Sequence, residues 1–237
     1  MIGVCNGARY LGEAIDSVLA QTYPASEVIV VDDGSNDDSG SIASAYPAPV
    51  RCLRQENGGM AAARNSAVRE ATGEYFAFLD ADDRFRPDKL ERQLAAFEDD
   101  PELDIVYGYV TEFVSPELGA RARALLRAPR HAHPWPTPNL MLVRRKSFFD
   151  VGLFSTDLKV GIGVDWHARA VEKGLRSTVP PIVVLERRLH SDNNGIRQRQ
   201  LKPQYLHVLK ASLDRRRLAP GEDAESRATG TAPPPTD

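Results

Sequence analysis

Three short strand-like runs, each ending in a polar or acidic cluster, constrain this 237-residue chain more than anything else in it. Val28–Val31 is β-branched throughout and ends in Asp32-Asp33-Gly34-Ser35. A run with no polar alternation marks a strand covered on both faces, and Asp-Gly-Ser is turn chemistry. Val50–Arg54 leads into Glu56–Met60, with its glycine pair Gly58-Gly59, and Tyr75–Leu79 leads into Asp80-Ala81-Asp82-Asp83. Helical patterns lie before, between and after these runs. Tyr10–Gln21 carries Leu11, Ile15, Val18 and Leu19 on one stripe, and a short helix is expected over Asp37–Tyr46. Met60–Thr72 is rich in alanine and closed by Gly73, and a further helix enters at Pro87 with Leu90, Leu94 and Phe97 on one face. This alternation predicts an α/β fold: a Rossmann-like three-layer sandwich with a mostly parallel central sheet between helices.

The second half is less regular. Asp104–Val114 reads as a strand with a bend, Asn139–Val143 and Pro180–Leu185 as strands, and Asp165–Lys173 and Leu206–Arg217 as helices. Residues 115–136 hold a loop rich in proline and histidine, and from Ala219 the composition predicts disorder. A net charge of −3 argues against a dedicated nucleic-acid binder. Cys5 and Cys52 have no metal-ligand spacing, no apolar run is long enough to span a bilayer, and the start lacks the pattern of a signal peptide. A cytoplasmic protein is expected, with peripheral membrane contact if its substrate is lipid-linked.

In an open parallel sheet, ligands bind at the carboxyl ends of the strands, and all three polar clusters fall at such ends. The carboxylates of Asp80–Asp83 repel one another unless a cation or hydrogen bonds offset the repulsion. A hard divalent ion, Mg²⁺ or Mn²⁺, is the natural partner for oxygen ligands of this kind. The competing reading is an acidic turn whose last aspartate caps a helix. Asp32-Asp33 could likewise form an Asx-turn, or accept from a base N–H or a ribose hydroxyl. Gly58-Gly59 before a helix invites a phosphate or base to approach closely. It matches neither the dinucleotide fingerprint nor the Walker lysine loop.

Taken in order, these segments resemble a known family. They run from Asn6-Gly7-Ala8-Arg9-Tyr10-Leu11 and Ser17–Pro24 through Glu27–Ser35, Asn57-Gly58-Gly59, Ala63-Arg64-Asn65 and Gly73-Glu74-Tyr75 to Leu79–Asp83. The set resembles the inverting family 2 glycosyltransferases with the GT-A fold, densely over residues 1–100 and more loosely to about 200. The resemblance implies a nucleotide-sugar site at Asn6, Asp32, Asp33, Gly58, Gly59, Arg64, Asp80, Arg188 and His190. Asp33 would contact the base and Asp80 the sugar or ribose. It implies a Mn²⁺ or Mg²⁺ held by Asp82, the second carboxylate of the Asp-X-Asp signature, with His190 also a ligand. Gly163-Val164-Asp165-Trp166 resembles the segment that carries the general base, Asp165; without the resemblance, Asp165 reads as a helix N-cap. Arg187–His190 resembles the Arg-X-His element near the diphosphate. The sequence departs from the family at its first strand, which is short and has Cys5 where an aromatic often stacks on the base.

The expected organisation is therefore a nucleotide-sugar-binding half (1–114), an acceptor-binding and catalytic-base half of the same domain (115–213), and a disordered tail (214–237). The expected function is transfer of a sugar, UDP- or dTDP-linked, to an acceptor hydroxyl with inversion at the anomeric carbon. The acceptor is left open between a glycan, a lipid-linked sugar, a peptide and a small metabolite. Two alternatives stand beside this reading: a non-catalytic nucleotide-sugar binder and a sugar nucleotidyltransferase.

Overall fold

The computed structural model describes residues 1–119, 128, 131–134, 137–190, 193, 210, 211, 214 and 215. Trp135, most of the helix expected over Leu206–Arg217 and the tail from 216 onward lie outside them. The first half runs β1 (Ile2–Val4), α1 (Ala8–Leu19), β2 (Val28–Asp33), α2 (Ser39–Ser44), β3 (Val50–Gln55), α3 (Met60–Glu70), β4 (Tyr75–Ala77), β5 (Leu79–Asp80), β6 (Arg84–Phe85) and α4 (Lys89–Asp99). A wholly parallel sheet in the order β3-β2-β1-β5 forms the centre. β2 is flanked on both edges, and every residue of it is buried, as its β-branched run requires. α1 buries Leu11, Ala14, Ile15 and Val18. α3 lies close against β1 through small side chains: a Cβ on Gly3 would sit 3.3 Å from that of Ala63. The fold class expected from the sequence is the one observed.

The second half continues with β7 (Ile105–Val106), β8 (Tyr109–Val114), β9 (His133–Pro134), β10 (Leu142–Arg144), α5 (Arg145–Val151), α6 (Ile162–Glu172), β11 (Ser177–Thr178) and β12 (Val183–Leu189). It completes two mixed sheets, ordered β11-β7-β10-β4 and β6-β12-β8-β9. Each borrows one strand from the first half, so one core runs from Ile2 to Leu185. Phe148 stacks on Trp166 with ring centroids 5.0 Å apart, and Phe76, Phe78 and Phe154 surround that pair.

Several boundaries differ from the sequence reading, for identifiable reasons. The run 104–114 is two strands in different sheets. The chain switches at Gly108, where a Cβ would lie 2.6 Å from both γ-carbons of Val184. The last strand starts at Val183 and reaches Leu189, because β6 and β8 supply hydrogen-bond partners along it. Pro138–Leu140 forms a single 3-10 turn, and the strand expected from Asn139 begins at Leu142. α6 starts at Ile162, after Gly161 in the left-handed region at φ 78°. Asp165 therefore sits inside the first turn and is not the N-cap.

Candidate active site

The loops after β1, β2 and β3 are tied into one rim. Asn6, at φ 55°, accepts from the Asn36 N–H with its side-chain oxygen, and its own N–H donates to Ser35 Oγ. Asp32 is fully buried and accepts from the Ser35 N–H. Asp33 is 2% exposed. Its Oδ1 accepts from Gln55 Nε2 at 2.7 Å and the Gly58 N–H at 2.9 Å, and its Oδ2 accepts from the Gly59 N–H at 2.8 Å. Asp33, Gly58 and Gly59 are thus brought together as a unit, but the carboxylate satisfies the N–H groups leading into α3. The glycine N–H groups point at a protein carboxylate.

At the end of β5, Asp80 is fixed from two sides. Its Oδ1 accepts from Arg64 Nη2 at 2.7 Å and its Oδ2 from Asn139 Nδ2 at 2.6 Å, while Arg64 Nη2 also donates to Asn139 Oδ1 at 2.9 Å. Arg64 comes from α3 and Asn139 from the 3-10 turn, so this triangle links the two halves at the sheet rim.

Asp82 and Asp83 follow on the turn. Nε2 of His190 lies 2.9 Å from Asp82 Oδ2, to which Asn193 Nδ2 also donates at 3.2 Å. Asp82 Oδ1 takes no hydrogen bond from the described residues. Asp83 is buried and accepts from the Arg188 N–H. Burial first, and then the charges of Asp82 and Asp80, push its carboxyl well above the usual range. Asp80, Asp82 and Asp83 each offer an oxygen within 4.8 Å of the others. Three carboxylates this close, offering only oxygen donors, fit a hard divalent cation. Arg188, expected at the diphosphate, is only 2% exposed. Its guanidinium donates to the Asp82 carbonyl at 3.0 Å, Ser115 Oγ at 3.3 Å and Glu13 Oε2 at 2.5 Å, and lies 4.5 Å from the Tyr10 ring centroid. It is a strut that seats the acidic turn against β12 and α1.

A cavity of about 830 Å³ opens beside this cluster. Gly58, Gly59, Arg64 and Asp80 line one part of it, and the start of α6 lines another through Gly161, Ile162, Gly163 and Val164. Asp165 does not line it. That carboxylate is 6% exposed and accepts from Arg169 Nε at 2.9 Å, while Arg169 is itself anchored on the carbonyls of Val151 and Leu153.

The model of the family described as "Glycosyl transferase family 2" matches residues 1–156. The chain belongs to that family. An uncharacterized glycosyltransferase of Rickettsia prowazekii is 47% identical over 94 residues, which cover 40% of this chain and 30% of that protein. The putative glycosyltransferase EpsH of Bacillus subtilis is 35% identical over 116 residues, 48% of this chain and 33% of that one. In both curated relatives the match thus spans a third of the protein or less. Among solved structures, S. aureus TarS 1-349 in complex with UDP superposes with a TM-score of 0.63 at 22% identity, over 81% of this chain and 60% of that one. The Pyrobaculum calidifontis mannosyltransferase PcManGT, in complex with GDP-Man and Mn²⁺, gives 0.63 at 24% identity, over 90% and 63%. At these identities the likeness is one of fold, and the fold is GT-A.

Within this family 2 chain, some residues of the cluster carried no sequence signal. Asn139 read as the first residue of a strand, and Asn193 stood in an unassigned stretch. Glu112, on β8, lines the cavity with Arg187, and it looked like an ordinary polar position in a strand.

Proposed function

We propose that this family 2 protein transfers a sugar from a nucleoside diphosphate sugar, UDP- or dTDP-linked, to an acceptor hydroxyl, with inversion at the anomeric carbon. The observation that carries this reading is Asp80, fixed by Arg64 and Asn139 at the wall of the 830 Å³ cavity with Asp82 and Asp83 alongside. A donor sugar needs a rigid acceptor of hydroxyl hydrogen bonds next to an acidic cluster able to hold a cation, and the cavity has room for a sugar and an attacking group.

In this reading Asp80 orients the sugar, and the rim of Asn6, Asp32, Asp33, Gly58 and Gly59 shapes the nucleotide's seat. Asp33 acts indirectly, by holding the glycine turn that the nucleotide lies against. Asp82, with Asp80 and His190 beside it, would hold Mn²⁺ or Mg²⁺, which offsets charge on the departing diphosphate. Arg188 keeps the turn in place. Direct displacement in a single step inverts the anomeric centre. Asp165, in the first turn of α6 and hydrogen-bonded by Arg169 in this structure, is the candidate to take the acceptor's proton. No helix among the described residues is long and apolar enough to cross a membrane, and a hydroxyl on a glycan, a lipid-linked sugar, a peptide or a small metabolite meets the chemical requirement equally.

The test is release of nucleoside diphosphate from UDP-glucose, UDP-GlcNAc, dTDP-glucose and GDP-mannose by the full chain with Mn²⁺. Release from one donor, abolished by a chelator and by Asp82→Ala, supports the reading. Silence with all four donors, or release of pyrophosphate from a nucleoside triphosphate and a sugar phosphate, overturns it.

A further inference from the structure

His190 follows directly on the last residue of β12. Its N–H donates to Asn193 Oδ1 at 2.6 Å, which holds the backbone but not the plane of the imidazole. That plane decides whether Nε2 faces the acidic turn. In the structure it does, 2.9 Å from Asp82 Oδ2. An imidazole that is to serve as a ligand needs a neighbour to fix its orientation.

Tyr10 is such a neighbour. It is buried in the first turn of α1, and its ring centroid lies 5.0 Å from that of His190 with the planes inclined at 49°. Aromatic rings pair favourably at this separation and tilt. Tyr10 is itself clamped. The Gly7 N–H donates to Ser39 Oγ and the Ala8 N–H to Asp37 Oδ2, each at 3.0 Å, so the start of α1 is tied down. The Tyr10 hydroxyl donates to Glu117 Oε1, and Ser115 Oγ lies 2.7 Å from both oxygens of that carboxylate. The Arg188 guanidinium carbon sits 4.5 Å from the Tyr10 ring centroid, drawn by the negative face of the ring. Arg188 also pairs with Glu13, one turn further along α1. Arg188 and His190 are two residues apart and share one side of the strand line. The tyrosine ring packs against both: the residue that seats the acidic turn and the residue that faces it.

We infer that Tyr10 is a positioning residue of the cation site: its ring fixes the plane of His190, so that a nitrogen donor joins the carboxylates. This rests on the transferase reading above, with its cation at Asp82. Carboxylates alone suit Mg²⁺, whereas an imidazole raises affinity for the later transition ions. A site with His190 held in place therefore favours Co²⁺ over Mg²⁺ by more than its carboxylates would, and Tyr10 sets that margin.

The experiment titrates the full chain with Co²⁺ and with Mg²⁺ by calorimetry. It compares wild type, Tyr10→Phe, Tyr10→Leu, His190→Ala and the double variant Tyr10→Leu/His190→Ala, with thermal unfolding in a chelator to show that each is folded. Tyr10→Leu is expected to lower Co²⁺ affinity about 10–100-fold and Mg²⁺ affinity by less than about 3-fold. Tyr10→Phe, which keeps the ring, should stay within about 3-fold of wild type for both ions. In the His190→Ala background Tyr10→Leu should cost nothing more, because the ring then has no ligand to orient. Wild-type Co²⁺ affinity in Tyr10→Leu, equal losses for the two ions, a full further loss in the double variant, or a loss in Tyr10→Phe as large as that in His190→Ala each overturns the inference and leaves the transferase reading standing. If Tyr10→Leu does not fold, Tyr10→Met, which fills the space with a flexible unbranched chain, takes its place under the same criteria. A wild-type chain that binds neither ion overturns the cation-dependent reading, and this inference with it.

Discussion

One nitrogen of Arg64 serves two residues: Nη2 lies 2.7 Å from Asp80 Oδ1 and 2.9 Å from Asn139 Oδ1, while Asn139 returns a hydrogen bond to the other oxygen of Asp80. The triangle joins α3, the end of β5 and the turn before β10. Replacing Arg64 with Met removes the charge partner of a carboxylate that is only partly exposed. A loss of roughly 1–3 kcal/mol in stability is expected, together with nearly complete loss of turnover. Asn139→Ala, which spares the ion pair, should weaken turnover while costing less stability. Urea denaturation and donor hydrolysis on the two variants check this. Equal stability losses would mean that the two contacts are not separable.

Asp82 is expected to matter for cation binding and not for folding. Its Oδ1 is free of protein hydrogen bonds among the described residues, and its charge opposes ionisation of the buried Asp83. Asp82→Ala should therefore unfold no earlier than wild type in a chelator. Added Mn²⁺ should raise the melting temperature of wild type and leave that of the variant unmoved. A variant that Mn²⁺ stabilises as much as it does wild type would place the cation elsewhere.

Much of this site was legible before the structure was known, because its parts sit where strands end. Val28–Val31 is apolar on both faces and can only be an inner strand, so Asp32 and Asp33 had to lie on the carboxyl rim. The same logic located Gly58-Gly59 and Asp80–Asp83. What could not be read was orientation. Asp33 resembles a base-reading aspartate in sequence, but the unpaired N–H groups of Gly58 and Gly59 lie within its reach and take its oxygens. Asp165 follows a motif, yet Arg169 one turn later pulls its carboxylate off the cavity. Arg188 sits in a basic pair whose two members point to opposite faces of β12, which shows only once the strand is known to reach Leu189. Asn139 carried no signal because its role depends on a partner 59 residues away.

The turn after β2 depends on Gly34. Its φ is 73°, and a Cβ there would lie 2.9 Å from the backbone nitrogen of Asn57, which cannot swing aside. Gly34→Ala should cost about 1–3 kcal/mol through strain alone and should weaken nucleotide binding by moving the Asn57–Gly59 turn. Chemical denaturation with a parallel UDP titration measures both. Unchanged stability would show that the turn tolerates a different backbone conformation.

Lys89 gives a dependence on pH outside the site. It is fully buried, with Nζ 2.6 Å from Gln93 Oε1 and 4.7 Å from the Phe85 ring centroid. Burial lowers its pKa to about 7 from the ordinary lysine value of 10.5. Below about pH 7 the amine is charged in both the folded and unfolded states, and the cost of burying the charge is felt in full. From there to the unfolded value the unfolded chain binds the extra proton, so stability rises with pH, by at most about 1.4 kcal/mol per unit. Lys89→Met should remove that rise, whatever the offset from leaving Gln93 Oε1 unpaired. Urea denaturation of both proteins at pH 6, 8 and 9.5 tests the slope. Parallel curves would show that the amine keeps its ordinary affinity for protons.

The most direct test of the central claim is a calorimetric titration of the full chain with UDP, dTDP and GDP, with Mn²⁺ present and then absent. The account predicts that one of these, UDP or dTDP, binds with Mn²⁺, and that the affinity falls steeply when the ion is withdrawn or when Asp82 is replaced by alanine. Binding of none of the three, or equal binding with and without the ion, would contradict it.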